Sequence, residues 1–188
     1  MGIEAEEKAV KRVKNVRILH LATHGFFLEP GKGQNYFQEK DFENPLLRSG
    51  IALTGANQAY SIENEEDGIL TAYEVTGMDL SNTELVVLSA CETGVGSVRS
   101  GEGVFGLRRA FALAGAKNML LTLWPVSDDI TADLMIRFYQ VYKNGKHPLT
   151  ALREAQLETI KNLRINRKNA PPALWAPFIL QVSGAEYK

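Results

Sequence analysis

One short apolar run constrains the fold of this chain more than any other feature. Residues 85–88 read Leu-Val-Val-Leu and lead through Ser89 and Ala90 to Cys91, the only cysteine in the sequence. A run of this length, rich in Val and Leu and bounded by polar residues and glycine, is typical of a strand buried on both faces of a parallel sheet. The run therefore predicts an α/β fold with Cys91 at the carboxyl end of a central strand.

The rest of the chain alternates between patterns typical of strands and of helices. Strands are predicted at residues 17–22, 49–53, 84–90, 118–124 and 178–182, and helices at 3–14, 71–77, 102–114, 128–144 and 148–163. Thr71 and Glu74 have the spacing of a capping box for the helix at 71–77, and Gly115 is a stop signal for the helix at 102–114. Alternating strands and helices predict an α/β sandwich around a mostly parallel sheet.

Composition describes an ordinary globular domain. The chain has 188 residues, 45% of them hydrophobic and 23% charged, with a formal net charge of -1. This length fits one domain, and this charge gives no reason to expect nucleic acid or an anionic membrane as a partner. No apolar run approaches the roughly 20 residues needed to cross a bilayer, and a lone cysteine fits a reducing compartment. We therefore expect a cytoplasmic protein.

Three irregular segments interrupt the pattern. Residues 26–47 predict a long loop, which is either functional or a surface excursion, and residues 58–67 predict a solvated acidic insertion. Residues 94–103 are rich in glycine but lack both the P-loop ending and a dinucleotide fingerprint, so we do not expect nucleotide binding. His20 and His24 have a spacing that suits zinc only on a helix, because four residues of a strand separate them by about 13 Å. We predict no metal site.

The chemistry that this pattern favours is nucleophilic catalysis. The strand predicted at residues 17–22 is followed by His24, and the strand predicted at residues 84–90 is followed by Cys91. The carboxyl ends of parallel neighbours lie on one edge of a sheet, where ligands of open α/β sheets bind. A histidine beside a thiol can generate the thiolate, the nucleophilic form. The alternative is structural, because a buried cysteine often packs simply as a small hydrophobe.

Four motifs in order carry a resemblance to a known family. They are residues 21–25 (Leu-Ala-Thr-His-Gly), 88–94 (Leu-Ser-Ala-Cys-Glu-Thr-Gly), 101–111 with Gly-Glu-Gly and Leu-Arg-Arg-Ala-Phe, and 123–129 (Leu-Trp-Pro-Val-Ser-Asp-Asp). Together they closely resemble the CHAT domains, caspase-like domains that are often attached to tetratricopeptide repeats. The resemblance extends from about residue 17 to residue 182.

This resemblance implies the caspase-like three-layer sandwich and a cysteine endopeptidase activity on protein or peptide substrates. His24 and Cys91 align with the catalytic pair, and the backbone N–H groups of Gly25 and Cys91 with the oxyanion hole. The substrate pocket would include Ser89, Trp124 and Asp128. An Asp128 that faces the pocket would favour Lys or Arg before the cut, whereas an Asp128 that caps the following helix would leave an apolar pocket. No cofactor is implied.

The resemblance also raises the question of partners. CHAT domains typically carry further upstream sequence that completes the sheet, so the chain is either a short member of the family or a fragment. A tetratricopeptide-repeat region or another regulatory partner is therefore expected beside the substrate. The alternative function is a caspase-like interaction module that is catalytically silent or that a partner activates.

Overall fold

The computed structural model of the chain describes residues 5–28, 44–58, 66–89, 102–124 and 127–183. Within these ranges the elements follow one another as α1 (Glu7–Lys11), β1 (Ile18–Leu21), β2 (His24–Phe27), β3 (Ser49–Ala52), a short 3-10 helix (Ala56–Gln58), β4 (Ile69–Thr71), α2 (Ala72–Val75), β5 (Leu85–Leu88), α3 (Glu102–Leu113), β6 (Asn118–Thr122), α4 (Asp128–Tyr142), α5 (Pro148–Arg167), α6 (Pro172–Trp175) and β7 (Phe178–Val182).

The described strands form two sheets. The larger has the order β1-β5-β6-β7, in which β1, β5 and β6 are parallel and β7 is antiparallel to β6. The smaller sheet is antiparallel, with the order β2-β3-β4. The predicted α/β architecture with a mostly parallel central sheet is confirmed, with β5 in the interior of that sheet as its apolar run predicts.

Helices cover both faces of the larger sheet. On one face, Val86 and Leu88 of β5 join a core that includes Phe111 of α3 and Ile51 of the smaller sheet. On the other face, Leu85 and Val87 pack in a core to which α4 and α5 contribute. Each of these four β5 side chains is at most 1% exposed. Complete burial of a Val or Leu stabilises the fold by about 1.5–3 kcal/mol, so this strand anchors both layers.

Local signals set several helix ends as predicted. Thr71 accepts a hydrogen bond from the Glu74 N–H at 3.2 Å, and Glu74 accepts one from the Thr71 N–H at 2.8 Å, which completes the capping box of α2. Gly115 follows α3 with a φ of +102°, a conformation that glycine adopts without a steric penalty.

Other boundaries differ from the predicted ones. The strand predicted to end in the loop that carries His24 stops at Leu21, and His24 begins β2 of the second sheet. That sheet was not predicted as a unit, since β2 falls partly in the predicted loop and β4 has three residues. The strand predicted to reach Trp124 ends at Thr122. Helix α5 continues to Arg167, four exposed residues beyond its last buried residue, Leu163.

Candidate active site

The carboxyl ends of three strands define the candidate site. Leu21 of β1 lies opposite Leu88 of β5, and Leu88 lies opposite Leu121 of β6. The Ser89 N–H extends the ladder by donating to the Leu21 carbonyl at 3.1 Å. The segments after these strands therefore leave the sheet at one edge, as ligand sites of parallel sheets require.

His24 lies three residues beyond the end of β1. It pairs with Ala52 of β3, and the hydroxyl of the preceding Thr23 donates a hydrogen bond to the Ala52 carbonyl. The His24 residue is exposed, whereas its neighbour Gly25 is buried. Strand pairing therefore fixes the backbone of His24 while the residue remains accessible at the edge.

Cys91 lies outside the described residues, as do residues 90–101 that surround it. Its last described neighbour is Ser89, a half-buried residue directly after β5. The prediction that Cys91 and His24 meet therefore stays a prediction. The glycine-rich rim predicted at residues 94–103 also falls largely in this segment.

The alternation of hydrogen-bonded and non-hydrogen-bonded pairs between β2 and β3 sets the direction of the Gly25 N–H. Leu28 donates to the carbonyl of Arg48, its register partner, at 2.7 Å. In an antiparallel ladder, pairs that exchange hydrogen bonds alternate with pairs that do not. His24 lies four residues before Leu28, so its pair with Ala52 is also hydrogen-bonded. Gly25 lies between two bonded pairs, so its pair with Ile51 is not hydrogen-bonded. The Gly25 N–H is therefore directed away from β3.

The predicted pocket residues of the third strand have defined places. The Trp124 indole N–H donates to the Ala173 carbonyl of α6 at 3.0 Å, which holds the half-buried ring against that helix. Asp128 is exposed and is the first residue of α4, and Ser127 occupies the N-cap position without a side-chain cap. Asp128 is therefore not the N-cap residue, and its carboxylate lies in the first turn of α4, where negative charge interacts favourably with the helix dipole.

His20 occupies a separate environment from His24. Its Nδ1 lies 3.0 Å from the Tyr139 hydroxyl, and the two ring centroids are 5.8 Å apart. Although part of the residue is open to solvent, burial of the ring lowers the pKa of His20. Burial also raises the pKa of Tyr139 to about 12. In the ranges that the structure describes, His, Cys, Asp and Glu nowhere gather in a group of three that could hold a metal ion.

Sequence reasoning missed a charge cluster behind the smaller sheet. Lys11 pairs with Glu7, with Glu74 at 2.7 Å and with Glu66 at 3.3 Å. Glu7 is 2% exposed, and burial raises its pKa despite the bond to Lys11. For Lys11, burial opposes the charge, but hydrogen bonds to Glu7 and Glu74 outweigh it and raise the pKa. The spacing of Glu7 and Lys11 was the only local signal, since the other partners are distant in sequence.

The same cluster joins α1 to the turn before β4. Glu7 accepts a hydrogen bond from the Gly68 N–H at 2.9 Å, and the Thr54 N–H donates to the Ala5 carbonyl at 3.0 Å. The Gly68 carbonyl in turn accepts from the Leu53 N–H at 2.7 Å. Helix α1 is therefore bound to the end of the β3–β4 hairpin, whose first strand supports His24.

Comparison with known proteins identifies the family. The family model of the CHAT domain matches residues 1–185. The chain belongs to the CHAT domain family. The chain is also 28% identical to tetratricopeptide repeat protein 28 of Homo sapiens over 191 residues, and 28% identical to the protein of that name from Mus musculus over 192 residues. Each match covers 95% of this chain and 8% of the relative.

The family explains the arrangement of the strands. The larger sheet and its covering helices agree with the caspase-like fold of a CHAT domain. The CHAT domain spans 8% of the length of the curated relatives it matches, and the names of those relatives describe repeats. Among the helices that the structure describes, none is long and apolar enough to span a membrane.

Proposed function

We propose that this CHAT domain is a cysteine endopeptidase. The observation that carries the proposal is the parallel pairing of β1 with β5, because residues after the two strands leave the sheet at the same edge. His24 comes after one strand and Cys91 after the other. Membership of a caspase-like family supports the assignment of the two residues as base and nucleophile.

The proposed reaction has two stages. His24 accepts the thiol proton, and the Cys91 thiolate attacks the carbonyl carbon of the scissile peptide bond. His24 then gives a proton to the leaving amine as the carbon–nitrogen bond breaks, which leaves a thioester. Water, deprotonated by His24, attacks the thioester, and the carbon–sulfur bond breaks to release the acid. No metal or organic cofactor takes part.

The N–H groups of Gly25 and Cys91 are proposed to stabilise the charge on the oxygen in the tetrahedral intermediate. The phase of the β2–β3 ladder supports the role of Gly25, because it directs this N–H away from β3. A donor that is already fixed needs no reorganisation when the charge develops, and one such donor is worth about 10²–10³ in kcat.

The residue before the cut is proposed to lie near Ser89, Trp124 and Asp128. Ser89 comes after β5 and Trp124 after β6, so both belong to the edge that bears the dyad. The exposed Asp128 carboxylate would attract Lys or Arg in the substrate. With Asp128→Ala, a preference for basic residues should fall, and an unchanged preference would remove Asp128 from the pocket.

A second candidate function is a silent or partner-activated module. The observation that favours it is that the two relatives carry names that describe tetratricopeptide repeats and no enzymatic activity. In this version, a repeat region or regulatory partner orders the site before cleavage. A thiol nucleophile is best preserved in a reducing compartment, so we place either function in the cytoplasm.

Cleavage assays with matched histidine variants test the proposal. Cys91→Ala should abolish cleavage of a peptide library, and His24→Ala should lower kcat/KM by at least about 10². His20→Ala is the control, because His20 lies one strand earlier and faces Tyr139 instead of the edge. Equal losses in the two histidine variants would contradict the dyad. Cleavage that begins only after addition of a repeat region would favour the second function.

A further inference from the structure

The outer face of the smaller sheet forms a continuous surface that begins at His24. Cross-strand partners share a face, and His24 lies opposite Ala52, which lies opposite Ile69. The next row on that face is Phe26, Gly50 and Thr71. The opposite face carries Ile51 and Leu70, which are 0% exposed in the core.

The outer face is mostly apolar and partly open to solvent, although Gly50 beneath the Phe26 ring is buried. His24 is exposed, and Ala52 and Ile69 are half-buried. Ala52 has the smallest of the three side chains, so the row forms a shallow depression between the imidazole and the Ile69 side chain. Opposite residues in an antiparallel sheet have Cβ atoms about 5 Å apart, which places Ile69 about 10 Å from His24. That distance is about three residues of an extended peptide.

Phe26 adds an apolar wall to this surface. A Cβ atom added to Gly50 would lie 2.8 Å from the Phe26 Cζ, so the ring lies directly across the glycine. Glycine is required for this close approach, because any side chain would displace the ring. Phe26 also lies two residues from His24 on the same face of β2, since strand side chains alternate.

The chemistry proposed for His24 decides which part of a substrate passes over this surface. A group that protonates the leaving amine must lie within hydrogen-bond reach of it. The chain after the scissile bond therefore starts beside the imidazole, and this argument rests on the proposed peptidase function. We propose that the row formed by His24, Ala52 and Ile69 binds the residues after the cut and selects apolar side chains there.

Partition of the acyl-enzyme separates this site from the catalytic site. A peptidyl nitroanilide has no amino acid after the cut, so its hydrolysis reports only on acyl-enzyme formation and breakdown. When a tripeptide amide is added, its amine nitrogen attacks the thioester carbonyl, loses a proton to His24 and displaces the Cys91 thiolate. The ratio of aminolysis to hydrolysis then reports on binding of the three residues after the cut.

In the wild-type protein, the tripeptide amide Gly-Gly-Leu, whose third side chain reaches Ile69, should capture the acyl-enzyme about tenfold better than the amide of Gly-Gly-Gly, since partial burial of a Leu side chain contributes about 1.4 kcal/mol. Ile69→Glu should abolish this preference and leave nitroanilide hydrolysis within about twofold. Ile69→Thr keeps the branched shape of the strand residue and should reduce the preference if Ile69→Glu fails to fold. Ile165→Glu, at a residue that is 68% exposed on α5, is the control and should change neither measurement.

The failures of the two proposals differ. Normal nitroanilide hydrolysis with equal capture of the Gly-Gly-Leu and Gly-Gly-Gly amides would overturn the apolar site while leaving the peptidase intact. A preference that survives both Ile69 variants would also overturn it. No hydrolysis and no acyl-enzyme in the wild-type protein would overturn the peptidase and this inference together.

Discussion

His24 and Gly25 together give the site its most specific residue-scale feature. Pairing with Ala52 holds the His24 backbone, and the Thr23 hydroxyl adds a second bond to the same carbonyl. Because bonded and non-bonded pairs alternate along the ladder, the pairing that joins His24 to β3 directs the Gly25 N–H away from β3. Two adjacent residues can thus supply a side-chain base and a backbone donor from one short strand.

His20 leads to a prediction about pH. Burial against Tyr139 lowers the pKa of His20 below its ordinary 6.5, so the unfolded chain binds a proton more readily than the folded chain. The resulting stability is present above pH 6.5 and is lost as the pH falls through the folded-state pKa. Between pH 7 and pH 5, the Tm of the wild type should fall further than that of His20→Gln. Parallel Tm profiles in calorimetry would contradict this.

At the scale of elements, helix α3 is seated closely on the smaller sheet. A Cβ atom added to Gly106 would collide with the Ser49 Oγ and would lie 3.6 Å from the Pro45 carbonyl oxygen. Ser49 is completely buried, so it cannot move towards solvent. The contact therefore sets the distance between α3 and β3, the strand that pairs with the His24 segment.

Gly106→Ala tests this contact. Gly to Ala in a helix normally stabilises by about 1 kcal/mol, but overpacking should reverse the sign and cost about 1–3 kcal/mol. Ser49→Gly removes the opposing Oγ. Gly106→Ala should therefore cost less free energy of unfolding when it is added to Ser49→Gly than when it is added to the wild type. Urea denaturation of the wild type, the two single variants and the double variant measures the four free energies of unfolding. A stabilised Gly106→Ala variant would show that α3 is not held at this distance.

The charge cluster at α1 leads to a second prediction about elements. Lys11→Met leaves the buried Glu7 carboxylate without its cation and should lower the free energy of unfolding by about 3 kcal/mol, the lower end for a buried pair because Lys11 is 25% exposed. Lys146→Met is the control, because Lys146 and its partner Glu154 are 51% and 43% exposed, and such pairs contribute at most about 1 kcal/mol. Equal denaturation midpoints for the two variants would contradict a stabilising role of the cluster.

Local signals explain which elements could be predicted from the sequence. The apolar run of β5, the capping box of α2 and the glycine stop signal after α3 each depend on neighbouring residues, and each was predicted. The sheet of β2, β3 and β4 depends on pairing between distant segments with strands of four, four and three residues. Residues 49–53 were predicted as a strand, but β2 and β4 were not, and the pairing of the three segments, which the core beneath Ile51 and Leu70 sets, leaves no local signal.

In the candidate site too, features that depend on local sequence could be predicted and features that depend on distant pairing could not. His24 and Gly25 could be selected from their position after a strand and from the family motifs. The direction of the Gly25 N–H could not be predicted, because it depends on which residue pairs of β2 and β3 are hydrogen-bonded. The hydrogen bond from the Trp124 indole to the Ala173 carbonyl could not be predicted either, because α6 is a single turn that no local pattern predicted.

At the scale of the whole molecule, the two cores hold the layers on either side of one parallel sheet. Helices α4 and α5 cover one face, and α3 with the smaller sheet covers the other. The candidate site lies at the carboxyl edge of β1 and β5, close to the junction of the larger and smaller sheets. The CHAT domain family accounts for this architecture, and the proposed chemistry depends on Cys91, three positions beyond the end of β5 in the sequence.

The most direct test of that chemistry is the reactivity of the Cys91 thiol. A series of peptidyl electrophiles with Arg, Lys, Met, Leu or Asp before the warhead should label the native chain at pH values well below about 8.5, the ordinary pKa of a free thiol. Intact mass gives the rate, and His24→Ala should lower it at least about tenfold, whereas His20→Ala should not. Slow labelling that is equal in all three proteins would contradict an assembled dyad in this chain.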